Sequence, residues 1–176
     1  MSDEPAQSAS DTVRLRPVTP ADLPELFRFQ SDPDGARMAA VVPRDSQSFF
    51  SHWGKILADP SIVARAITLD SVLVGDISCF NMEGLDSVGY WIARPYWGRG
   101  IATRALALLL QEVRKRPLHA RAARHNLASI RVLQRCGFVL TGYQHSPATE
   151  RFLECEEAVL VLHQLGDPMS PLHASS

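Results

Sequence analysis

The sequence contains few cysteines, and none of them is placed for a metal site or a disulfide framework. The three thiols, Cys79, Cys136 and Cys155, are scattered, odd in number and form no Cys-x-x-Cys pair. Zinc sites and disulfide scaffolds need closely spaced or paired cysteines, so we expect no metal centre. Cys79 and Cys136 lie within apolar patterns, which favours buried thiols.

The chain also lacks an excess of charge and a long apolar segment. Its 176 residues carry a formal net charge of −1, so no whole-protein field recruits nucleic acid or a membrane surface. The longest apolar run, Ala105 to Leu110, is too short to span a bilayer. Residues Met1 to Asp11 are polar and acidic and have no signal-peptide core. A cytoplasmic protein without nucleic-acid or membrane partners is therefore expected.

What remains is the composition of an ordinary globular protein, with 45% hydrophobic and 21% charged residues. The length suits one domain with a substantial core. We expect residues 1–11 to be disordered and residues 12–165 to form a single domain. Residues 166–176, which include two prolines and three serines, are expected to be a flexible tail.

Hydrophobic periodicity and turn residues predict seven strands and four helices, in the order β α α β β β α β α β β. The order favours an α/β (α+β) fold with a mixed sheet and helices on both faces. Residues 31–35 are expected to be a turn and residues 81–87 a loop. The predicted strands are 13–18, 62–69, 72–80, 88–93, 119–124, 138–144 and 152–162, and the predicted helices are 20–30, 46–58, 100–116 and 126–135.

A glycine-rich turn joins the fourth predicted strand to the third helix. Gly98 and Gly100 have no Cβ, so a ligand can approach the main chain closely. The unpaired N–H groups and the positive end of the helix dipole meet at this turn, which favours an anion such as a diphosphate. Arg99 and the hydroxyl of Thr103 could add contacts to a phosphate.

Other phosphate-binding motifs do not match this turn. A P-loop needs Gly-Lys-Ser/Thr after its last glycine, and a dinucleotide fingerprint needs a third glycine at position 103, which is Thr103. A plain glycine-rich connection without a ligand remains an alternative on these two glycines alone.

A second segment, His125 to Phe138, follows one predicted strand later and reads HNLASIRVLQRCGF. Together with Tyr90 to Thr103 it resembles the GNAT superfamily of acyl-CoA N-acyltransferases, with its closest likeness to the RimJ/RimL-like branch of ribosomal-protein N-terminal acetyltransferases. The resemblance covers roughly Val13 to Leu162. It implies a mostly antiparallel central sheet with a splayed central strand pair, and acetyl-CoA as the donor.

The resemblance also implies which residues bind the donor. In the family, the pyrophosphate lies on the backbone amides of an Arg/Gln-x-x-Gly-x-Gly/Ala segment, whose first position is Trp97 here. The main chain near Trp91 and Ile92 would bind the pantetheine, and Asn126 the pantetheine or the adenosine-phosphate arm; alternatively, Asn126 is only a helix N-cap. The expected donor-binding residues are Trp91, Ile92, Trp97, Gly98, Arg99, Gly100, Ile101, Ala102, Thr103 and Asn126.

The catalytic residues of the family transfer less well. A tyrosine seven residues after the asparagine is Leu133 here, and a glutamate five residues before it is Arg121. Ser129 is the candidate partner of the sulfur, or else a capping or solvent-facing hydroxyl. Glu83 and Asp86 precede the central strand and are candidate general bases, or else polar loop residues.

Without a strong general base, the enzyme would need an acceptor amine that is easily deprotonated. An α-amine has a pKa near ~7.8 and a lysine amine near ~10.4, a difference of about 3.5 kcal/mol in the cost of deprotonation. The favoured acceptor is therefore a protein or peptide N-terminal α-amine. The alternatives are a small-molecule amine, such as a polyamine, amino sugar or amino-acid derivative, and a CoA-binding module without catalysis. The family resemblance is also compatible with a homodimer.

Overall fold

Strands and helices follow one another along the chain in nearly the predicted order. The computed structural model describes residues 11–164. Short 3₁₀ turns lie at Pro20–Asp22 and Arg94–Tyr96. The helices and strands in chain order are β1 (Val13–Pro17), α1 (Leu23–Gln30), α2 (Pro33–Ala39), α3 (Ser46–Ala58), β2 (Val63–Leu69), β3 (Val72–Met82), β4 (Leu85–Ile92), α4 (Ile101–Glu112), β5 (Leu118–Ala123), α5 (Leu127–Arg135), β6 (Val139–Ser146) and β7 (Cys155–Leu162).

The seven strands form one sheet in the order β1-β2-β3-β4-β5-β7-β6. All neighbouring strands are antiparallel except β4 and β5, which are parallel and are in register only at Ser87 and His119. Beyond that pair the two strands diverge, so a wedge opens toward the end of β4. The prediction of a mixed, mostly antiparallel sheet is confirmed.

Two apolar clusters cover the two faces of the sheet. On one face, α4 and α5 pack on the strands through fully buried side chains that include Ile101, Leu106 and Leu133. On the other face, α1 and α3 pack on β2 through Leu26 and Phe49. None of the helices within residues 11–164 has the length and apolar content needed to cross a bilayer.

The sequence prediction missed α2. Asp32-Pro33 and Asp34-Gly35 are typical of turns, but the side chain of Asp32 accepts hydrogen bonds from the N–H groups of Asp34 and Gly35. These bonds make Asp32 an N-cap, and Pro33 is favoured at the first position of a helix. The segment therefore begins a new helix, where a turn was expected.

Other element boundaries also differ from the prediction. The expected loop 81–87 is a tight hairpin, because β3 runs to Met82 and β4 begins at Leu85. The third predicted helix ends at Glu112, four residues before Arg116. The last strand begins at Cys155, while Phe152 makes only an isolated bridge to Val41.

That bridge belongs to a contact between two loops over the sheet. The N–H of Val42 donates to the carbonyl of Arg151 at 2.8 Å, and the N–H of Leu153 donates to the carbonyl of Ala40 at 2.8 Å. The loop between α2 and α3 is thereby fixed to the loop between β6 and β7.

The terminal predictions fall mostly outside the described residues, which exclude 1–10 and 165–176. Asp11, the last residue of the segment expected to be disordered, contacts the core domain. Its carboxylate pairs with Arg99, and its carbonyl accepts a bond from Nη1 of Arg104 at 2.6 Å.

A buried carboxylate anchors the entry to α1. Asp22 accepts two hydrogen bonds of 2.7 Å from the guanidinium of Arg16 and one of 2.8 Å from the N–H of Thr19. These bonds, the one from Arg16 first, lower the pKa of Asp22 to about 2. The ionised form is therefore stabilised by folding.

We predict that Asp22→Asn lowers the free energy of unfolding by about 2 kcal/mol at pH 7. Because the folded-state pKa is depressed, this contribution is present above about pH 4 and is lost as the pH falls toward 2. The difference in the free energy of unfolding between wild type and Asp22→Asn, measured by urea unfolding, should be roughly half as large at pH 3 as at pH 7. Glu25→Gln, which breaks the exposed pair with Arg28, serves as the control and should cost less than about 1 kcal/mol. An Asp22→Asn effect equal at both pH values would contradict the prediction.

Candidate active site

The wedge beside β4 opens into a cleft of about 380 Å³. Its walls come from β4, α2, α5 and the segment 96–103 that leads into α4. The structure brings all the predicted donor-binding residues, and Ser129, to the wall of this one cleft: Trp91, Ile92, Trp97, Gly98, Arg99, Gly100, Ile101, Ala102, Thr103, Asn126 and Ser129.

The glycines of the cleft adopt a conformation that favours glycine. Gly98 and Gly100 have φ angles of 73° and 71°, in the left-handed region. A Cβ on either residue would meet no heavy atom within 4 Å, so close packing does not account for them. A side chain at either position would instead take space in the cleft.

An orphaned hydroxyl lies beside these glycines. Oγ1 of Thr103 is buried and has no hydrogen-bond partner within residues 11–164. Thr103 is in the first turn of α4, where backbone N–H groups are also unpaired. A bound phosphate would supply acceptors to the hydroxyl and to the N–H groups alike.

Three arginines, Arg99, Arg131 and Arg135, add positive charge to the cleft. The guanidinium of Arg99 pairs with the carboxylate of Asp11. The cleft thus has the charge that an anionic ligand requires. No group of three or more His, Cys, Asp or Glu side chains in the described part of the chain is arranged to hold a metal ion.

A pair of hydroxyl groups bridges β4 and α5 at the inner end of the cleft. Oη of Tyr90 lies 2.8 Å from Oγ of Ser129, and it also donates to the carbonyl of Ser129 at 3.2 Å. Burial raises the pKa of Tyr90 to about 12, so the phenol keeps its proton near neutral pH. Ser129 is therefore one of two linked hydroxyl proton donors, and Tyr90 was not predicted from the sequence.

Asn126 is a helix N-cap and also lies on the wall of the cleft. It is the N-cap of α5, with Oδ1 accepting a bond of 3.2 Å from the N–H of Ser129. It also lines the cleft. Capping and ligand contact are compatible here, because the cap uses the oxygen of the amide group.

The two carboxylates favoured as bases, Glu83 and Asp86, are not brought to the cleft. They lie at the hairpin between β3 and β4, and Asp86 is five residues from Trp91, roughly 16 Å along the strand. Glu83 pairs with Arg121 at 2.7 Å, and Asp86 pairs with Lys115 at 3.5 Å. Neither carboxylate lines the cleft or the second cavity described next.

A second cavity, of about 170 Å³, lies on the other side of β4. Residues of α1, the α2–α3 loop, β3, β4 and the β6–β7 loop line it. Tyr90 and Trp91 line both this cavity and the cleft. The two spaces therefore meet at one point of β4.

The floor of the second cavity carries a buried carboxylate, Asp76. Only 8% of this residue is exposed, and Nε2 of Gln30 donates to Oδ1 at 3.2 Å. Burial raises the pKa of Asp76 to about 7, and the bond from Gln30 opposes the rise. Asp76 pairs with Trp91 in the β3–β4 register, which places it next to the point where the two cavities meet.

Trp91 forms the wall between the two cavities. Its Nε1 donates to the carbonyl of Phe29 at 3.1 Å. A Cβ on Gly35 of α2 would lie only 2.7 Å from Cζ2 of Trp91, so α2 packs directly on the indole ring. The helix that the sequence prediction missed thus positions this wall.

The sequence did contain a signal for Asp76. It is the one charged residue in the strand Val72–Met82, which is otherwise apolar or neutral. A charged residue in such a strand is rare unless it has a partner or a function. Its partner Gln30 is far away in sequence, so the pairing itself could not be foreseen.

Comparison with known proteins extends these observations. A family model described as an acetyltransferase (GNAT) domain matches residues 12–139. The Bacillus subtilis (strain 168) protein named "Putative ribosomal N-acetyltransferase YdaF" is 29% identical over 103 residues, which is 54% of this chain and 56% of the relative. The chain thus spans little more than half the length of this curated relative.

Two solved structures share the fold. Spermidine N-acetyltransferase from Vibrio cholerae, in complex with CoA and spermine, has a TM-score of 0.74 at 16% identity, with 86% of this chain and 95% of that chain covered. Mycobacterium smegmatis RimJ, in complex with CoA-disulfide, has a TM-score of 0.71 at 23% identity, with 90% and 85% covered.

The family match covers five of the seven strands and the whole glycine-rich turn. The chain belongs to the GNAT family of acetyltransferases.

Proposed function

We propose that this protein transfers an acetyl group from acetyl-CoA to a primary amine, and that the favoured acceptor is the N-terminal α-amine of a protein or peptide. The observation that carries the proposal is the meeting of two cavities at Tyr90 and Trp91. A donor in one cavity and an acceptor in the other would place their reactive ends on the same short stretch of β4.

The larger cleft is the donor site in this proposal. The N–H groups at Gly98 to Thr103, the hydroxyl of Thr103 and the guanidinium of Arg99 would bind the pyrophosphate. The open edge of β4 near Trp91 and Ile92 would bind the pantetheine like an added strand. Nε1 of Trp97 donates to the carbonyl of Ile92 at 2.8 Å, which fixes the indole ring across that edge. When bound, acetyl-CoA supplies the activated acetyl group.

Asp76 is the general base in this proposal. A base works best when its pKa lies near the working pH, and the pKa of Asp76 is about 7. This value is close to the ~7.8 of an α-amine and more than three units below the ~10.4 of lysine. Asp76 is therefore suited to take a proton from an α-amine in the second cavity.

The Tyr90–Ser129 hydroxyl pair would serve the leaving group. Ser129 lines the donor cleft next to β4 and can donate its proton to the sulfur. Tyr90, whose Oη lies 2.8 Å from Oγ of Ser129, can replace that proton by turning its O–H away from the carbonyl of Ser129. Solvent water would then return a proton to the phenolate, whose pKa of about 12 favours the protonated form. The pair would thus take the place of the family's tyrosine, because the corresponding position in this chain is Leu133.

A small-molecule amine is the second candidate acceptor. It is supported by the fold shared with spermidine N-acetyltransferase. The cavity of about 170 Å³ is smaller than the ~300 Å³ at which pockets for drug-sized ligands begin. It therefore suits an acceptor that inserts one end, which a chain terminus and a slender amine both do.

The first prediction concerns the donor site. Gly100→Val should weaken acetyl-CoA binding by about 10-fold or more, because it adds both a side chain in the cleft and strain at a positive φ. Gly84→Val is the matched control: its φ is +83°, its Cβ also meets nothing within 4 Å, and it lies in the distant hairpin. Calorimetric titration with acetyl-CoA would measure both. Equal losses in the two variants would assign the effect to strain alone.

The second prediction concerns the base. Asp76→Asn should lower kcat/KM by roughly 100-fold with little change in acetyl-CoA affinity. In the wild type, kcat/KM should rise with pH in two steps, through about 7 as Asp76 ionises and through ~7.8 as the α-amine acceptor deprotonates, and the variant should keep only the second step. If Glu83→Gln or Asp86→Asn lowered kcat/KM more than Asp76→Asn, the assignment of the base to Asp76 would be wrong.

The same variant should be more stable than the wild type. Because the folded-state pKa of Asp76 is raised, its stability contribution is complete below about pH 4 and is lost as the pH rises through about 7. Asp76→Asn should therefore raise the free energy of unfolding at pH 8, by at most about 4 kcal/mol, and less at pH 5. Urea unfolding at the two pH values measures this, and a destabilised variant at pH 8 would contradict it.

The last prediction concerns the hydroxyl pair. Ser129→Ala and Tyr90→Phe should each lower kcat by about 10-fold while the dissociation constant of acetyl-CoA stays within about 3-fold. The double variant should lose little more than either single variant, since the two groups act in series. Additive losses, or unchanged turnover in Ser129→Ala, would remove the pair from the mechanism.

A further inference from the structure

Two arginines, Arg44 and Arg151, enter the second cavity from the loops above the sheet. Arg44 is in the loop between α2 and α3, and Arg151 is in the loop between β6 and β7. Both are half-buried. The hydrogen bonds between these loops, at Val42 and Arg151, hold the two side chains over the same space.

Neither guanidinium is paired with a carboxylate in the described part of the chain. Within residues 11–164, no carboxylate lies within 4 Å of either group, although Arg151 also donates to the carbonyl of Val42. Burial lowers the pKa of Arg44, and burial followed by the charge of Arg44 lowers that of Arg151. Two cations therefore share a partly dry site without a counter-ion from the described chain.

The pKa of a neighbouring histidine is also affected by the charges of these two arginines. His52 of α3 has a pKa lowered to about 4, by burial first and then by the charges of Arg44, Arg151 and Lys55. His52 is thus neutral near pH 7 and adds no charge of its own. The upper part of the cavity is positive, whereas its floor carries Asp76.

The carboxylate on the floor does not compensate for the arginines. Asp76 has its hydrogen bond from Gln30 and forms no ion pair within 4 Å of either arginine. The cavity therefore has a negative group, Asp76 on β3, and two positive groups, Arg44 and Arg151 on the loops, that do not neutralise one another. An amine is suited to the floor, and an anion is suited to the upper part.

We infer that the acceptor is a primary amine that also carries a carboxylate, with the amine at Asp76 and the carboxylate at Arg44 and Arg151. This inference rests on the proposed function, because it names the class of acceptor for the same site. Arginine binds carboxylates through paired, charge-assisted hydrogen bonds, and the two guanidinium groups offer such donors in the cavity that Asp76 also lines, without being paired to it.

The same charges act against other acceptors. A polyamine or an amino sugar with several ammonium groups would bring further cations next to Arg44 and Arg151, and this repulsion lowers affinity. Two sources supply an amine with a nearby carboxylate: a chain whose N-terminal residue is Asp or Glu, and a free amino acid. Of these, the chain terminus agrees with the proposed function.

The test compares acceptors that differ only in charge. Peptides that are identical except for an N-terminal Glu or Gln, together with free glutamate and spermidine, are offered with acetyl-CoA, and release of the CoA thiol is followed. The Glu peptide should exceed the Gln peptide in kcat/KM by about 10-fold or more. A higher kcat/KM for the Glu peptide than for free glutamate would assign the source to protein termini, and the reverse order to a free amino acid.

The variant Arg44→Gln should remove the preference. It should bring the Glu peptide to the level of the Gln peptide, with the Gln peptide changed less than about 3-fold, so the ratio does not depend on how much protein folds. Arg28→Gln on the exposed side of α1, where Arg28 pairs with Glu25, is the matched control and should keep the preference. Arg44→Glu should instead favour a peptide with an N-terminal Lys.

A binding measurement separates this inference from the proposed function. Butyrate, which has one carboxylate and no amine, should raise the Tm of the wild type and of Arg28→Gln, but not that of Arg44→Gln. Equal kcat/KM for the Glu and Gln peptides would overturn the inference while acetylation of either upheld the proposed function. If no amine were acetylated, the proposed function would fail and the inference would fail with it, whatever the shift in Tm.

Discussion

The structure depends on the divergence of β4 and β5. These strands are in register only at Ser87 and His119, and beyond that pair the hydrogen bonds of a continuous sheet are not made. Unpaired main-chain groups inside a protein are costly unless water or a ligand satisfies them. The wedge is thus the place where the fold leaves its main chain open, and the glycine-rich turn, α5 and the Tyr90–Ser129 pair are arranged around it.

On the other face of β4, charge is the organising feature. Burial of Asp76 costs stability above neutral pH, yet the same burial brings its pKa to about 7. Arg44 and Arg151 are likewise half-buried without a carboxylate partner among residues 11–164. These are unfavourable placements for a folded chain by itself, and such departures cluster at functional sites. The buried carboxylate and the two unpaired arginines therefore indicate a functional site more strongly than the volume of the cavity does.

That the residues proposed to bind the donor line one cleft could be predicted from the sequence, because they lie in two continuous segments. The conformation of Gly98 and Gly100 is local, and so is the cap at Asn126. The second cavity could not be predicted in this way, since Gln30, Arg44, Asp76 and Arg151 come from four separate parts of the chain. Glu83 and Asp86 show the same limit. They are close to the central strand in sequence, but they lie at the start of β4, whereas the cleft is at its other end, and an extended strand separates its two ends by about 3.3 Å per residue. The helix α2 was missed because an Asp-Pro pair can begin a helix as well as a turn.

Trp91 belongs to both cavities at once, held by Phe29 and pressed against Gly35. A substitution at this position would reshape both cavities together, so under the proposed function it would change donor and acceptor binding at once. A change of acceptor alone would then require substitutions at residues that only the small cavity contacts. Four of the eleven residues that line only the small cavity, Val41, Pro43, Arg44 and Arg151, lie in the α2–α3 and β6–β7 loops, which can change in sequence while the strand stays the same.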